Sequence, residues 1–273
     1  TYTWQGGGAA NISPHSQTLL DALREHGTLV SHVGGATFDS LTTADAAAAA
    51  ARDADAVVLA VGEDAYAEKP GDIRDLRLPD AQIELAEVVA QTGTPIVAVG
   101  VEGRPRLMPS VFEQSEAALL AYQPGIQGGR AIAEVLYGDV SPSGRLPFAY
   151  PKDSDVIVPY DARVTSRLGA EQESTVYEPQ FPFGHGLSYT SFDYSDLQVS
   201  SDTLRAGESI TVTVDVTNTG SRESSHSALL FVSDQRASVV PRARQLKGME
   251  RVHLSPGDSK TVEYEVAPSD LSI

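Results

Sequence analysis

Cysteine is absent from this chain of 273 residues. Without thiols the protein has no disulfide bond, no thiolate nucleophile and no zinc–thiolate site. The six histidines show no metal-ligand spacing with one another or with carboxylates. Phosphate-binding loops, GxSxG elbows and HExxH motifs are missing as well. We therefore expect neither a metal site nor a cofactor.

Basic residues are scarce, because 20 lysines and arginines stand against 37 aspartates and glutamates, for a formal charge of −17. Only four of these cations are lysines. An acidic surface repels nucleic acid and anionic lipid, so we expect no nucleic-acid partner and no membrane association. No apolar run approaches the roughly 20 residues that a membrane span needs. The shortage of lysine fits a high-salt environment and compositional drift equally well.

The first half of the chain has the pattern of an α/β domain. Between residues 13 and 138, helical patterns of apolar residues alternate with short β-branched runs, which favours a parallel, doubly wound sheet. Ser13-Pro14 is a typical start for the first helix, and Gly27 is a typical end. The predicted strands are Thr28 to Val33, Ala56 to Gly62, Pro95 to Val101 and Ala117 to Tyr122. Further helices are predicted over residues 44–53, 79–91, 109–114 and 127–137.

The pattern changes after residue 141. Up to about Ser195 the sequence is rich in proline, glycine, serine and aromatic residues and has no periodicity, as in a long structured linker. From Asp196 onward apolar residues alternate with polar ones, which predicts a small antiparallel β-sandwich. We therefore expect an α/β domain over 1–158, an aromatic linker over 159–195 and an all-β domain over 196–273.

The segment from Glu63 to Leu78 is far longer than the about 2 to 6 residues usual after a parallel strand. Such loops carry the ligand sites of open α/β sheets. This one contains an aromatic residue, Tyr66, three basic residues and five carboxylates, namely Glu63, Asp64, Glu68, Asp72 and Asp75. A carboxylate that is partly desolvated beside an aromatic ring serves as a general acid. A solvated loop that pairs its acids with its own cations has the same composition, and spacing alone leaves both interpretations open.

Three stretches of the chain resemble one known family in their order and spacing. They are VGEDAYAEKPGD (Val61 to Asp72), QPGIQGGRAIAEVLYGDVSPSGRLPFAYP (Gln123 to Pro151) and FPFGHGLSYTSF (Phe181 to Phe192). Together they resemble the C-terminal half of glycoside hydrolase family 3, which comprises β-glucosidases, β-xylosidases and exo-glucanases. The strings VDVTNTG, LLFVSD and QLKGMERVHLSPGDSKTV resemble the fibronectin type III-like domain that follows in many members. The resemblance covers nearly the whole chain.

The resemblance implies a fold of two parts: a parallel-sheet α/β sandwich domain, then a small all-β fibronectin type III-like sandwich. It also implies that one loop of the α/β domain projects a catalytic acid/base. In the family's Tyr-x-Glu-x-x-Gly-Asp pattern that residue is Glu68. The same pattern makes Tyr66, Asp72 and the nearby Arg74 candidates for substrate binding. The first strand of the α/β domain and the last strands of the sandwich are expected outside this chain.

The activity that the resemblance implies is that of a retaining, exo-acting β-glycoside hydrolase on a β-linked oligosaccharide or glucoside. The nucleophile of the family is an aspartate on an N-terminal (β/α)8 barrel, which is the expected partner in cis or in trans. Because this chain offers at most one of the two carboxyl groups that the reaction needs, we expect it to be inactive alone. The alternative is a non-catalytic carbohydrate-binding or interaction module. The family favours an extracellular or periplasmic location.

Overall fold

The computed structural model describes residues 16–27, 31–66, 68–154, 159–161, 179–236 and 238–271. These residues form two compact units. One unit contains the described residues up to Tyr137 together with Lys152–Ser154. The other contains Gly138–Pro151 and the described residues after 154. We call them the α/β unit and the all-β unit.

The α/β unit is a parallel sheet with helices, which confirms the predicted class. Its strands are β1 (Val57–Gly62), β2 (Ile96–Val101) and β3 (Ala117–Leu120), in the order β1-β2-β3. Both strand pairs are parallel, with Val57 opposite Ile96 and Val97 opposite Ala117. The helices are α1 (Leu19–His26), α2 (Ala44–Arg52), α3 (Asp80–Ala90), α4 (Pro109–Glu113) and α5 (Gly128–Tyr137).

Apolar periodicity explains which faces of these elements form the core. The central strand β2 buries Ile96, Ala98 and Val99, as expected of a strand covered on both sides. Helix α3 buries a stripe at positions i, i+4 and i+8, which are Ala81, Leu85 and Val89. Within the unit, α1 packs against α5 and α2 packs against α3.

The start of the unit differs from the sequence pattern in two places. Helix α1 has its N-cap at Thr18, whose hydroxyl accepts a hydrogen bond from the backbone N–H of Asp21 at 3.1 Å. The predicted start at Ser13-Pro14 lies outside the described residues. The strand predicted over Thr28 to Val33 is not found in its described part, residues 31–33. There Ser31 and His32 are exposed and pair with no strand among the described residues.

The described residues of the all-β unit form five antiparallel strands, which confirms the predicted class. They are β4 (Phe192–Val199), β5 (Ile210–Asn218), β6 (Ser224–Val232), β7 (Gln245–Leu254) and β8 (Ser259–Val266). One sheet has the order β4-β5-β8, and β6 pairs with β7 in another. Both sheets contribute to one core, with Val216 and Val262 from the first and Ala228 and Val252 from the second. Strand β4 begins at Phe192, ahead of the period-two pattern.

The segment Gly138–Pro151 is attached to the all-β unit by backbone hydrogen bonds. Tyr150 is fully buried, its N–H donates to the carbonyl of Phe181 at 2.8 Å, and the two rings meet edge to face. The N–H of Leu146 donates to the carbonyl of His185 at 2.9 Å. Residues that the sequence pattern assigns to the α/β domain and to the linker therefore pack together.

Candidate active site

The loops that follow β1, β2 and β3 leave the same edge of the sheet, because the three strands are parallel. The first loop runs from Glu63 to Leu78, and the second covers Glu102 to Leu107. Their backbones meet where the N–H of Leu78 donates to the carbonyl of Leu107 and the N–H of Leu107 to the carbonyl of Leu76. The long acidic loop is therefore supported by the loop after its neighbouring strand.

Glu63 is the buried centre of this loop pair, with a side chain only 3% exposed. Its Oε1 accepts hydrogen bonds from Nε and Nη2 of Arg106, at 2.7 and 2.6 Å, and lies 3.2 Å from Nε of Arg104. Its Oε2 accepts a hydrogen bond from the backbone N–H of Gly103 at 2.9 Å. Charge-assisted pairs of this kind hold a carboxylate in a fixed geometry. Glu63 is thus an anchor for two loops.

Arg106 connects the two ends of the acidic loop. Besides Glu63 at the start of the loop, its guanidinium contacts the end of the loop, where Nη1 donates to the carbonyls of Asp75 and Arg77 at 3.2 and 3.1 Å. The backbone N–H of Arg106 donates to Oε2 of the buried Glu102 at 3.1 Å. Arginine can bridge these groups because its planar guanidinium carries five N–H donors. A lysine ammonium is a compact group with only three donors.

Arg104 holds Tyr66 inside the loop. The guanidinium carbon lies 3.9 Å from the centre of the tyrosine ring, and Nε donates to the phenol oxygen at 3.0 Å. Two glycines leave room for the ring. A Cβ on Gly103 would lie 2.2 Å from the phenol oxygen, and a Cβ on Gly71 would lie 2.4 Å from Cδ2 of the ring. The tyrosine is therefore packed between backbone on one side and arginine on the other.

Glu68 is exposed and stands in an unusual backbone conformation, with φ 51° and ψ −145°. It precedes a single 3-10 turn, Lys69–Gly71. The carbonyl of Glu68 accepts the N–H of Gly71 at 2.8 Å, and the carbonyl of Lys69 accepts the N–H of Asp72 at 3.0 Å. The predicted acid thus lies on a hydrogen-bonded turn near the middle of the loop, which we call the tip of the loop.

The other predicted site residues are only partly brought together. Glu68 and Asp72 flank one turn, and Tyr66 precedes it. Asp72 and Arg74 are exposed, and within the described part of the chain their side chains form no ion pair or hydrogen bond. Their role in substrate binding stays a prediction.

One pair in the loop fits the alternative interpretation, a solvated loop that pairs its acids with its own cations. Asp75 and Arg77 are both exposed and lie 2.7 Å apart, and hydrogen bonds from the Arg77 side chain and backbone lower the pKa of Asp75. The sequence pattern did not identify Arg104 and Arg106 as partners of Glu63. The available signal was two arginines in Gly103-Arg104-Pro105-Arg106, directly after the strand next to the acidic loop.

Within the described part of the chain, no group of three or more histidine or acidic side chains is placed to hold a metal ion. No described helix has the length and apolar character that crossing a membrane requires.

Comparison with known proteins agrees with the fold of both units. Residues 1–189 match the glycosyl hydrolase family 3 C-terminal domain, and residues 226–273 match a fibronectin type III-like domain. The crystal structure of a β-glucosidase mutant from Listeria innocua in complex with laminaribiose superposes with a TM-score of 0.85 at 30% identity, covering 94% of this chain and 37% of that one. A β-glucosidase from Erythrobacter marinus gives a TM-score of 0.84 at 31% identity, covering 93% of this chain and 38% of that one.

Sequence relatives are glycosidases as well. A lysosomal β-glucosidase of Dictyostelium discoideum is 36% identical over 98% of this chain and 34% of its own length. A periplasmic β-glucosidase of Salmonella typhimurium is 36% identical over 81% of this chain and 30% of its own length. A β-xylosidase of Formosa agariphila is 35% identical over 98% of this chain and 38% of its own length. The chain spans about a third of the length of these relatives. It belongs to glycoside hydrolase family 3, whose C-terminal domain it contains.

Proposed function

We propose that this chain supplies the general acid/base of a retaining, exo-acting β-glycoside hydrolase, and that Glu68 is that residue. The observation that carries the proposal is the turn at the tip of the long loop, which presents an exposed glutamate at the carboxyl edge of a parallel sheet. The substrate class is a β-linked oligosaccharide or glucoside, as the names of the relatives favour. A location outside the cytoplasm is part of the proposal and is supported by the periplasmic relative.

In this proposal Glu68 acts twice. It first donates a proton to the glycosidic oxygen as the aglycone leaves, and it then removes a proton from the water that hydrolyses the glycosyl-enzyme. The nucleophile is an aspartate of a (β/α)8 barrel, in cis or in trans. Retaining enzymes hold the two carboxyl groups about 5 to 5.5 Å apart across the sugar. The purified chain alone should therefore hydrolyse no aryl β-glucoside.

The neighbouring carboxylates are less suited to the role. Both oxygens of Glu63 are bonded to Arg106, Arg104 and the backbone N–H of Gly103, so that this side chain has no free position for a substrate proton. Asp75 is paired with Arg77. Asp64 is exposed but lies at the base of the loop, directly after Glu63. Asp72 is exposed as well and ends the turn that Glu68 begins, but the family's Tyr-x-Glu-x-x-Gly-Asp pattern selects Glu68 as the acid.

The test is the dependence of the Glu68→Ala variant on the leaving group, measured in a complete enzyme in which this chain is joined to a family barrel. A phenolate of low pKa departs without protonation, whereas a sugar alkoxide does not. The variant should therefore lose about 100-fold or more in kcat/KM on cellobiose but much less on 2,4-dinitrophenyl glucoside, for which deglycosylation becomes limiting. Asp64→Ala is the matched control and should affect both substrates alike. Equal losses on both substrates for Glu68→Ala would favour a non-catalytic module instead.

A further inference from the structure

The backbone of Glu68 needs support from its surroundings. A residue with a side chain at a φ of 51° is uncommon, and its conformation persists only where neighbouring contacts hold it. The hydrogen bond from Gly71 to the carbonyl of Glu68 is one such contact, but it lies within the turn itself. A single 3-10 turn is not stable by itself. Another contact must keep the turn in place.

That contact is the ring of Tyr66. Gly71 is buried although Asp72 beside it is exposed, and its α-carbon lies so close to Tyr66 that a Cβ would be 2.4 Å from Cδ2 and 3.0 Å from Cγ of the ring. Tyr66 precedes the turn, and Gly71 is the last residue of the turn. The packing of the Tyr66 ring against Gly71 stabilises the turn. This contact is independent of the backbone hydrogen bonds of the turn.

The ring of Tyr66 is in turn fixed by Arg104. The guanidinium carbon lies 3.9 Å from the centre of the ring, and Nε donates a hydrogen bond to the phenol oxygen. These two contacts fix the orientation and the position of the ring. Arg104 is anchored on the buried Glu63, which is paired with Arg106 through the same carboxylate oxygen. Arg104 belongs to the loop after β2, and therefore ties the tip of the acidic loop to a neighbouring strand of the sheet.

We propose that Arg104 is a positioning residue for Glu68: it holds Tyr66 in contact with Gly71 and thereby maintains the turn conformation of the glutamate. This inference rests on the proposed function, since it assigns Arg104 an effect on the step that Glu68 performs. Arg104 itself touches no reacting atom in this scheme. Lysine should not replace it, because an ammonium keeps the charge near Glu63 but loses the plane over the ring.

The first test measures the turn itself in the purified full chain. Hydrogen–deuterium exchange of the Gly71 and Asp72 amides reports the opening of the turn, and exchange of the β2 amides reports opening of the sheet. Arg104→Met should speed exchange of the turn amides about tenfold or more and leave that of β2 unchanged. Arg104→Lys should behave like Arg104→Met. Arg77→Met, which removes an exposed arginine of the same loop, is the matched control and should change neither.

The second test uses the complete enzyme with the barrel joined. Arg104→Met should reduce kcat on cellobiose by about 10-fold to 100-fold, with a much smaller loss on 2,4-dinitrophenyl glucoside and little change in KM, because protonation of the leaving group is the step affected. A merely structural role would lower activity on both substrates equally. Arg77→Met should leave both rates unchanged.

The outcomes separate this inference from the function on which it rests. Unchanged exchange at Gly71 and Asp72 in Arg104→Met, or equal losses on the two substrates, would overturn the role of Arg104 even if Glu68→Ala behaves as an acid/base variant. A Glu68→Ala variant without dependence on the leaving group would overturn the proposed function, and the assignment of Arg104 to that reaction with it. Faster exchange together with a selective loss on cellobiose supports both.

Discussion

The two units bury polar residues of different kinds. Those buried in the α/β unit include three charged side chains, Glu63, Glu102 and Arg106, and all three lie in the loops at the carboxyl edge of the sheet. Those buried in the described part of the all-β unit are Asn218, Ser224 and His226. Burial lowers the pKa of His226 to about 4, helped by the nearby Arg145, so this group is neutral at pH 7 as well.

The difference shows what each set of contacts does. Buried charge is costly unless it is paired and fully hydrogen-bonded, and a protein that retains it gains a fixed geometry rather than stability. In the α/β unit that geometry is the base of the loop that carries Glu68. In the all-β unit neutral groups satisfy turns and strand ends, which is a purely structural use.

Removing the buried cation should damage the α/β unit most. Arg106→Met leaves the carboxylate of Glu63 buried without its main partner and should cost about 3 to 5 kcal/mol of unfolding free energy. The measurement is urea dependence of hydrogen exchange at the β2 amides, with the β5 amides as internal reference for the other unit. Glu63→Gln added to Arg106→Met should recover part of the loss. A cost below about 1 kcal/mol would mean that the ion pair is not buried in solution.

A neutral side chain should contribute nearly as much to the unfolding free energy of the all-β unit. The side chain of Asn218 is fully buried and uses all its hydrogen-bonding capacity: Nδ2 donates to the carbonyls of Arg222 and Leu254 at 2.8 and 2.9 Å, and Oδ1 accepts from Thr190 and Gly220 at 2.6 and 3.1 Å. Asn218→Ala should cost about 3 kcal/mol because these groups lose their partner.

The readout for Asn218→Ala is exchange at the β5 and β8 amides, with β2 as the reference. Thr219→Ala, at the exposed next position, is the control and should have no measurable effect. Equal effects of the two substitutions would show that the amide network contributes little.

His226 should make the all-β unit sensitive to acid. Its Nε2 lies 2.6 Å from the phenol oxygen of Tyr194 and its Nδ1 lies 3.2 Å from Nη2 of Arg145. Since a guanidinium only donates, Nδ1 accepts and the ring is neutral. With its pKa lowered from 6.5 to about 4, the folded unit binds fewer protons than the unfolded chain between these values. Stability should therefore fall as the pH drops from about 6.5 to about 4.

The measurement is the difference in unfolding midpoint between pH 7 and pH 5. His226→Gln should reduce this difference, while His253→Gln, at an exposed position on β7, should leave it in place. His185, whose pKa is also lowered by burial and by Arg145, contributes a fall of the same sign, so some dependence should remain. A full pH dependence in His226→Gln would contradict the assignment.

The smallest effect is expected at the exposed ion pair. Asp75→Asn removes the partner of Arg77, but both side chains are largely solvated, and exposed pairs contribute little to stability. The unfolding midpoint of the α/β unit should not change measurably. A loss comparable to that of Arg106→Met would remove the distinction between buried and exposed charge on which the comparison rests.

The sequence predicted the parts of the fold that follow from continuous patterns. The apolar runs at Ala56 to Gly62 and Pro95 to Val101 became β1 and β2 almost residue for residue. The alternation from Ile210 became β5. Strand β4 starts before Asp196, where the all-β pattern was expected to begin, because its residues are mostly exposed and lack the alternation that marks a half-buried strand.

The candidate site was predictable only in part. The length of the loop and its carboxylates marked the region, and the family pattern selected Glu68. The support beneath it depends on contacts between residues far apart in sequence, such as Arg106 with Glu63 across 43 positions and Arg104 with Tyr66 across 38. Periodicity and spacing carry no information on such pairs, because they depend on which strands lie side by side.

The most direct test of the account is azide rescue of the Glu68→Ala variant in the complete enzyme. An anion attacks the glycosyl-enzyme without needing a base, so azide should restore turnover of 2,4-dinitrophenyl glucoside and yield β-glucosyl azide with retained configuration. Asp64→Ala should show no rescue. The account is contradicted if azide rescues Asp64→Ala and leaves Glu68→Ala unaffected, because the acid/base would then lie at the base of the loop rather than at its tip.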